Sequence, residues 1–232
     1  MLTQRAPEKE LIDLGPDYYT PEEYVDCQEK LFKVNKYLGI FRDTVKFLKR
    51  FTQPITVLDY GCGGGLFLLN LSRNFPQMQL TGVDISDEAI TTANTKLAAW
   101  KKVYLLENVS FQLISSTNAN LAKTNSDVIL SNLVCHHLDD EALIIFLQQL
   151  HQQAHLAVLL NDLHRHRIAY YFYKILCPLL FNNRLMLHDG LISIRKGFTR
   201  REWITLLGKT KIKNYQIKWR FPFRWRVILW KK

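Results

Sequence analysis

The chain has 232 residues, 47% of them hydrophobic, which is long enough to bury one sizeable core. Its formal net charge is +10, and the surplus lies in residues 160–232, which hold 17 Lys and Arg against 3 Asp and Glu. No apolar run reaches the roughly 18 residues of a membrane-spanning helix, and the first residues lack a secretory pattern, so we expect a cytoplasmic protein.

The four cysteines are widely spaced and form no Cys-x-x-Cys pair. This spacing predicts neither a zinc knuckle nor a disulfide framework, so we expect free thiols and no metal site. The basic C-terminal third has two interpretations: a surface for nucleic acid or anionic lipid, or a solvated face that keeps the protein soluble.

Residues 1–52 are predicted to form helices. Thr20 is a candidate N-cap, Pro21 stands at the first helical position, and Glu23 completes a capping box. Gly39 is expected to divide this segment into two helices.

Five short apolar runs then alternate with helical patterns. The predicted strands are 55–60, 78–85, 109–114, 127–133 and 155–163. Alternation of this kind requires right-handed crossovers, so it predicts an α/β doubly wound parallel sheet with helices on both faces. After an apolar insertion, a helix precedes two further strand-like runs, 211–220 and 223–232, which are predicted to form an antiparallel hairpin at a sheet edge.

The segment "VLDYGCGGG", residues 57–65, places four glycines directly after the first predicted strand. Glycine is costly in regular structure, so such a cluster indicates a sharp turn or a close approach to a ligand. Ligands of doubly wound sheets bind beyond the carboxyl ends of the strands. Asp84 ends the second strand, where its carboxylate could accept hydrogen bonds from both hydroxyls of a ribose.

The loop differs from the common phosphate-binding motifs. No lysine follows the glycines before Lys96, which excludes the usual triphosphate cradle. The spacing Gly61, Gly63, Gly65 also departs from the dinucleotide fingerprint. Asp59 beside the loop would repel a pyrophosphate but would suit an ammonium group and a sulfonium.

"VLDYGCGGG" resembles the first motif of class I S-adenosylmethionine-dependent methyltransferases, with Tyr60 and Gly64 as departures. The resemblance extends over about residues 40–232. It implies a Rossmann-like seven-stranded sheet of strand order 3-2-1-4-5-7-6, in which the terminal hairpin supplies the last two strands. It also implies S-adenosyl-L-methionine as cofactor and S-adenosyl-L-homocysteine as product.

The resemblance assigns roles to individual residues. Asp59 would anchor the amino group of the cofactor, Gly61 and Gly63 would let the backbone pass its methionine part, Asp84 would hold the ribose, and Ile85 would pack on adenine. The other implied cofactor contacts are Arg42, Cys62, Ser115, Ser116, Asn132 and Leu133. The two serines stand where many relatives carry an adenine-binding aspartate. Arg42 is assigned to the cofactor carboxylate.

"DVILSNLVCHHLDD" resembles the ubiquinone and menaquinone type of small-molecule methyltransferases. The Asn/Asp-Pro-Pro-Tyr/Phe motif of nucleic-acid amino methyltransferases is absent here, which disfavours base N-methylation. A histidine could remove a proton from a phenolic acceptor, and the candidates for this catalytic role are His137, His164 and His188.

The apolar segment "IAYYFYKILCPLLF", residues 168–181, follows the fifth strand. With "DLHR", "HDG" and "FT" around it, this region resembles bacterial methyltransferases associated with polyketide-type aromatic metabolites. We expect it to cap a substrate cavity lined by Tyr170, Tyr171 and Tyr173, with Asp162 reaching the acceptor. The alternatives are an ordinary core helix, or a helix that rests on anionic lipid.

The sequence therefore predicts a single domain, 1–232, with an N-terminal helical lid (1–52), a cofactor-binding half (53–162), a substrate-cap insertion (163–198) and a C-terminal helix and hairpin (199–232). Its predicted function is methyl transfer to an oxygen, or a carbon, of a small apolar metabolite. One alternative is an RNA methyltransferase that uses the basic C-terminal surface and its tryptophans. Another is a non-catalytic scaffold that binds the cofactor. The oligomeric state stays open.

Overall fold

A computed structural model describes residues 3–115 and 125–231 of the chain. The helices in this part are α1 (Leu11–Leu14), α2 (Pro21–Tyr37), α3 (Ile40–Leu48), α4 (Leu66–Asn74), α5 (Asp87–Lys101), α6 (Asp140–Gln153), α7 (Arg167–Leu180), α8 (Arg184–Lys196) and α9 (Arg200–Gly208). The strands are β1 (Thr56–Tyr60), β2 (Gln79–Asp84), β3 (Val109–Leu113), β4 (Ser126–Asn132), β5 (Ala154–Leu163), β6 (Tyr215–Arg220) and β7 (Arg224–Trp230).

The seven strands form one sheet in the order β3-β2-β1-β4-β5-β7-β6, which confirms the predicted fold. Strands β1 to β5 run parallel, and β7 pairs antiparallel with both β5 and β6. Strand β6 is shorter than predicted and begins at Tyr215. The preceding residues form a turn in which the Ile212 amide donates to the Thr210 hydroxyl.

Local sequence signals account for the observed helix ends. The Thr20 hydroxyl accepts the Glu23 amide, and the Glu23 carboxylate accepts the Thr20 amide, so α2 begins with the predicted capping box. Gly39 has φ 92°, a left-handed conformation that divides α2 from α3. The Ser86 hydroxyl caps α5 by accepting the Ala89 amide.

Apolar side chains cover both faces of the sheet. On one face, Phe47 of α3 packs beside Leu159 and Ile228 of the central strands. On the other, Trp203 of α9 joins a cluster that includes Val227. The alternation of Val227 and Ile228 between the two clusters is the period-two pattern of a strand buried on both sides.

The segment after β5 leaves the sheet and returns to the same place. It contains α7 and α8, and its two ends meet where His164 and Phe198 form a β-bridge. The Phe198 amide donates to the Leu163 carbonyl at 2.9 Å, and the Arg165 amide donates to the Phe198 carbonyl at 3.1 Å. We call this junction the neck of the insertion.

Residues 3–15 run across α8 toward the turn that follows β4. The Arg5 guanidinium donates to the carbonyls of His136 and Leu138. The amides of Leu11 and Ile12 donate to the Asp189 carboxylate of α8 at 2.8 and 3.1 Å. This N-terminal strap therefore ties the insertion to the carboxyl end of β4. None of the helices within the described ranges is long and apolar enough to cross a bilayer.

Candidate active site

The glycine loop turns sharply between β1 and α4. Gly61, Gly63 and Gly65 all have positive φ, at 75°, 51° and 76°. A Cβ on Gly61 would overlap a methyl group of Val134, and a Cβ on Gly63 would lie 2.7 Å from the side-chain oxygen of Gln28. The loop therefore needs glycine at both positions, for its conformation and for the space available.

Asp84 stands at the carboxyl end of β2, beside this loop. Its carboxylate accepts hydrogen bonds from the amides of Gly63, at 2.8 Å, and Ser86, at 3.0 Å. Burial raises the pKa of Asp84, although these hydrogen bonds oppose the shift. The loop backbone and the carboxylate thus form one hydrogen-bonded unit at the edge of the sheet.

Asp59, at the carboxyl end of β1, is only 2% exposed. The Asn132 side-chain amide donates to its carboxylate at 3.4 Å. Burial raises the pKa of Asp59 to about 8, and the charge of Asp84 adds to this shift, while the Asn132 contact opposes it. A buried carboxylate in this state gains much from a cation, such as an ammonium group.

A row of polar side chains continues from Asp59 across the neighbouring strands. The Asn161 side-chain amide of β5 donates to the Asn132 side-chain oxygen of β4 at 2.8 Å. Asn161 in turn stands opposite Arg226 of β7 in the antiparallel register. The carboxyl edge of the sheet therefore carries polar groups from β1 to β7.

Helix α2 covers the loop with residues that the sequence analysis missed. The Gly64 amide donates to Gln28 at 3.4 Å. Tyr24 is buried, and both burial and the charge of Asp84 raise the pKa of its hydroxyl. Tyr24 and Gln28 are four residues apart and share a helix face, which is the sequence signal that could have identified them.

The chain makes a strained turn directly after β4. Leu133 has φ 59°, a left-handed conformation that is rare for residues other than glycine. Its amide donates to the Asn161 carbonyl at 2.8 Å, which holds the turn against β5. Backbone strain of this kind occurs often in ligand-binding sites.

The other predicted cofactor contacts are distributed around the loop. Ile85 is 54% exposed and Ser115 is also exposed, whereas Cys62 is buried in the core beneath the loop. Ser116 lies outside the described residues. Arg42 lies near Gly39 and the Arg224 guanidinium.

His136 and His137 form the turn after β4 and interact with different carboxylates. Asp162 is fully buried and accepts from Nδ1 of His136 at 2.8 Å and from its amide at 3.2 Å. Nδ1 of His137 lies 2.7 Å from the Asp13 carboxylate. Burial alone would lower the pKa of His137, but the hydrogen bond to Asp13 and the charge of Glu10 raise it.

The remaining predicted histidines lie on the insertion. Nδ1 of His164 accepts the Trp219 indole N–H at 3.2 Å. Burial, together with the charges of His166 and Arg165, lowers the pKa of His164 to about 4, so its ring is neutral at pH 7. His188 is exposed on α8, and its Nδ1 lies 2.7 Å from the Asp189 carboxylate.

The three tyrosines of α7 have different surroundings. The Tyr173 hydroxyl donates to the Met186 carbonyl at 2.6 Å, which joins α7 to α8. Tyr170 is half-buried and contacts Tyr171 edge to face. Tyr171 is 54% exposed on the outer face of the helix.

Two histidines and a glutamate also come close together. Glu10, His136 and His137 each place one potential ligand atom within 4.8 Å of the others. The Lys196 ammonium lies 3.5 Å from Glu10 and 3.1 Å from Asp13. Because a lysine already supplies positive charge here, the cluster forms an ion-pair network that joins the strap, the turn after β4 and α8.

Sequence comparison finds a family match within the chain: residues 57–155 match the family described as "Methyltransferase domain". A malonyl-[acyl-carrier protein] O-methyltransferase of Legionella pneumophila is 28% identical over 116 residues, 49% of this chain and 38% of that protein. A ribosomal RNA small subunit methyltransferase C of Pseudomonas entomophila is 34% identical over 89 residues, 37% of this chain and 25% of that protein. The chain therefore spans well under half the length of either relative.

Structural comparison covers more of the chain. The plantazolicin methyltransferase BpumL, solved with a monoazolic desmethylPZN analog and SAH, has a TM-score of 0.68 at 21% identity, over 94% of this chain and 91% of that one. At this identity the likeness establishes the fold. The match of residues 57–155 to a methyltransferase domain therefore agrees with the fold of the chain, which is similar to that of this methyltransferase structure.

Proposed function

We propose that this chain transfers the methyl group of S-adenosyl-L-methionine to an oxygen, or alternatively a carbon, of a small apolar acceptor of aromatic or lipid-like character. One observation carries the assignment of the donor. Asp59 is a buried carboxylate with a raised pKa, it stands beside the glycine loop, and its hydrogen-bond donor is a neutral amide 3.4 Å away. The ammonium group of the cofactor would supply the missing positive charge.

The other predicted cofactor contacts follow from this placement. Asp84 would exchange its present amide donors, in part, for the ribose hydroxyls. Ile85 and Ser115 are exposed on the side where adenine would lie. Methyl transfer from a sulfonium is an in-line displacement, so the main task of Asn132 and Leu133 would be to align the reacting atoms and keep water out.

His137 is the histidine best arranged to accept a proton from a hydroxyl acceptor. Its Nδ1 is held by Asp13, which leaves Nε2 to act as the base. Asp162 would act through His136, which it orients from the buried side. His164 and His188 stay secondary candidates, since the pKa of His164 is lowered to about 4, which makes it a weak base, and His188 is exposed on α8.

The insertion, residues 163–198, would form the substrate cap, and residues 1–52 would form the lid over the cofactor. Tyr24 and Gln28 of α2 already contact the loop region, which supports the lid. Tyr170 would face the acceptor, while Tyr173 would fix α7 against α8.

The RNA alternative rests on the basic C-terminal surface and its aromatic residues. Trp225 is buried and its indole donates to the Phe198 carbonyl, and Trp230 packs against Phe47. Trp219 is the one of these three tryptophans with an exposed face, at 45%. Phe221, 78% exposed, contacts Trp219 edge to face. With two of the three tryptophans packed inside, the surface offers fewer rings for base stacking than the sequence suggests, which favours the small-molecule acceptor.

A peripheral membrane contact would suit a lipid-like acceptor. Along α7, five apolar side chains at helical spacing are between 54% and 76% exposed: Ile168, Tyr171, Phe172, Ile175 and Leu179. Arg167 and Lys174 are exposed on the same helix, and the C-terminal third is strongly basic. We assign this stripe to an anionic lipid surface, which complements its charge.

We also place the protein in the cytoplasm. All four cysteines, Cys27, Cys62, Cys135 and Cys177, are free thiols in the structure, which suits a reducing compartment.

Calorimetry with S-adenosylhomocysteine tests the proposed function. The wild type should bind it, and Asp84→Ala should weaken binding at least tenfold, because a half-buried carboxylate that accepts hydrogen bonds is lost. Asp87→Ala, on the exposed first turn of α5, serves as the matched control. Absence of binding by the wild type would refute the proposal, whereas label transfer to RNA rather than to phenolic acceptors would favour the alternative.

A further inference from the structure

The seam between α3 and the β6–β7 hairpin carries an unusual concentration of buried arginine. Arg224 is 3% exposed and Arg226 is 4% exposed. These residues are two apart on β7, so their side chains point to the same face of the sheet. The antiparallel register places Arg220 opposite Arg224 and Lys218 opposite Arg226, which adds two cationic residues to that face.

Helix α3 contributes further positive charge. Nη2 of Arg42 and Nη2 of Arg224 lie 3.3 and 3.7 Å from the position that a Cβ of Gly39 would occupy. The charge of Arg42 acts on Arg224, and the charges of Arg50 and Arg220 act on Arg226. Five guanidinium groups thus converge on one seam.

The negative charge that faces them is small. Asp43 is the carboxylate that acts on both Arg224 and Arg226, and it forms an ion pair with Nε of Arg220 at 3.0 Å. Burial lowers the pKa of Arg224 to about 10, so the group still carries its charge at neutral pH. Desolvated cations of this kind are costly unless an anion accompanies them.

The hydrogen-bond donors of these arginines are largely unused. Arg224 donates from Nη2 to the Phe221 carbonyl at 3.2 Å. Nε and Nη1 of Arg224, and Nε of Arg226, are buried and have no hydrogen-bond partner among the described residues. Guanidinium donors in this state match the oxygens of a carboxylate or a phosphate.

The position of the seam connects it to the methyl-transfer site. Arg226 stands opposite Asn161, which is bonded to Asn132, which is bonded to Asp59. Strands β1 and β7 are three places apart in the sheet, a separation of about 14 Å. This distance fits the length of a small acceptor with a polar group at one end. It is longer than the cofactor's amino-acid group alone.

We propose that Arg224 and Arg226 form an anion-binding subsite that holds a carboxylate or phosphate group of the methyl acceptor, so that the substrate is an acidic amphiphile. This inference rests on the proposed function, because the acceptor is the molecule that would receive the methyl group. The anionic group would fix one end of the molecule and orient its apolar body toward the transferring methyl group.

Binding of salicylate, an aromatic hydroxy acid, and of its neutral analogue salicylamide tests the subsite by calorimetry on the whole chain. The wild type should prefer salicylate, and Arg226→Gln and Arg224→Gln should weaken that binding at least tenfold. Arg224→Lys should weaken it less than Arg224→Gln does, because lysine keeps the positive charge but loses the forked donor geometry. Arg200→Gln, an exposed arginine of α9 in the same basic third, is the matched control and should bind as the wild type does. If Arg224→Gln does not fold, Arg226→Gln and Arg224→Lys carry the test.

Three outcomes would overturn the inference. Salicylate and salicylamide could bind equally in all variants, which would mean that no anion subsite exists. The arginine variants could weaken S-adenosylhomocysteine but not methylthioadenosine, which would identify the anion as the cofactor's own carboxylate. Inorganic phosphate could bind through the arginines without displacement by salicylate, which would indicate a site for free anions.

Failure of the proposed function is measured separately. If the wild type binds salicylate through the arginines but does not bind S-adenosylhomocysteine, the methyl-transfer assignment fails and the anion subsite stands without an acceptor. Retention of S-adenosylhomocysteine binding in the arginine variants, within about threefold, confirms that their folds are intact.

Discussion

Asn132 reaches from the end of β4 to the Asp59 carboxylate, with 3.4 Å between the amide nitrogen and the carboxylate oxygen. This contact joins a carboxylate near the end of β1 to the residue that would lie beside the transferring methyl group. Since the contact is long and the donor neutral, it leaves Asp59 with a raised pKa.

The first prediction concerns proton release at Asp59. In the free protein its pKa is about 8, so at pH 6 to 7 the group must lose a proton to pair with the cofactor's ammonium group. S-adenosylhomocysteine should therefore bind more tightly as pH rises from 6 toward 8, by up to about tenfold per unit. Asp59→Asn should weaken binding about 10- to 100-fold and remove this pH dependence. Calorimetry in buffers of different ionisation enthalpy measures both effects. An equal pH slope in the variant would contradict the assignment.

The stability of the ligand-free protein should change with pH in the direction opposite to cofactor binding. The folded pKa of Asp59 lies above the ordinary 3.8, so the native state keeps a proton that the unfolded chain releases between about pH 4 and 8. Stability contributed by this group is thus lost as pH rises through that window. Without ligand, Asp59→Asn should raise the Tm at pH 8 by about 2–4 °C for each kcal/mol gained. A lower Tm would show that the carboxylate has a stabilising partner.

The second prediction concerns the glycine loop. Gly61→Ala should abolish cofactor binding and destabilise the fold by about 1–3 kcal/mol, since φ is 75° and a methyl group of Val134 occupies the Cβ position. Adding Val134→Ala should recover only part of the stability, because it relieves the overlap but not the backbone strain. Chemical denaturation of the single and double variants measures this. Full recovery would mean that strain at residue 61 is negligible.

The third prediction concerns the pair that joins the strap to the turn after β4. Asp13→Asn should lower the pKa of His137, because the carboxylate that stabilises the protonated ring is gone. The raised pKa also means that the pair stabilises the fold at pH 6 and loses its effect as pH rises through the folded pKa. Proton NMR of the ring and thermal unfolding at pH 6 and 9 measure the two effects. Asp17→Asn, on an exposed turn, is the control, and an unchanged His137 titration would contradict the pairing.

The fourth prediction concerns the apolar stripe of α7. The wild type should sediment with vesicles that contain phosphatidylglycerol, and Phe172→Ser with Ile175→Ser should reduce this binding at least tenfold. Leu105→Ser is the matched control, because Leu105 is 97% exposed in a different part of the surface. Added salt should weaken binding. If the wild type does not bind vesicles but forms a dimer through the stripe in analytical ultracentrifugation, the partner of the stripe is a second copy of this chain.

The doubly wound parallel sheet was predictable because local pattern and topology rules agree, whereas the strand order was predicted from the family resemblance. Alternating strands and helices leave few arrangements, and "VLDYGCGGG" then positions the ligand end of the sheet. The beginning of α2 was predictable from local signals, since Thr20 caps it through contacts within three residues.

The contacts of the candidate site that join distant segments were not predictable. His137 meets Asp13, which is 124 residues away, and Arg224 comes near Gly39. The periodicity of a single sequence does not indicate which helix packs over the end of which strand. The sequence does not show whether a charged residue on β7 is solvated or buried. The arginines of the seam were therefore predicted only as part of a basic C-terminal third.

The neck between Leu163 and Phe198 has an evolutionary consequence. Because the insertion leaves and rejoins the sheet through adjacent backbone hydrogen bonds, its length and sequence can change without altering the strands on either side. Under the proposed assignment, the part that binds the cofactor can then stay constant while the substrate cap diverges. Exchange of residues 165–197 between relatives should in that case change the acceptor preference.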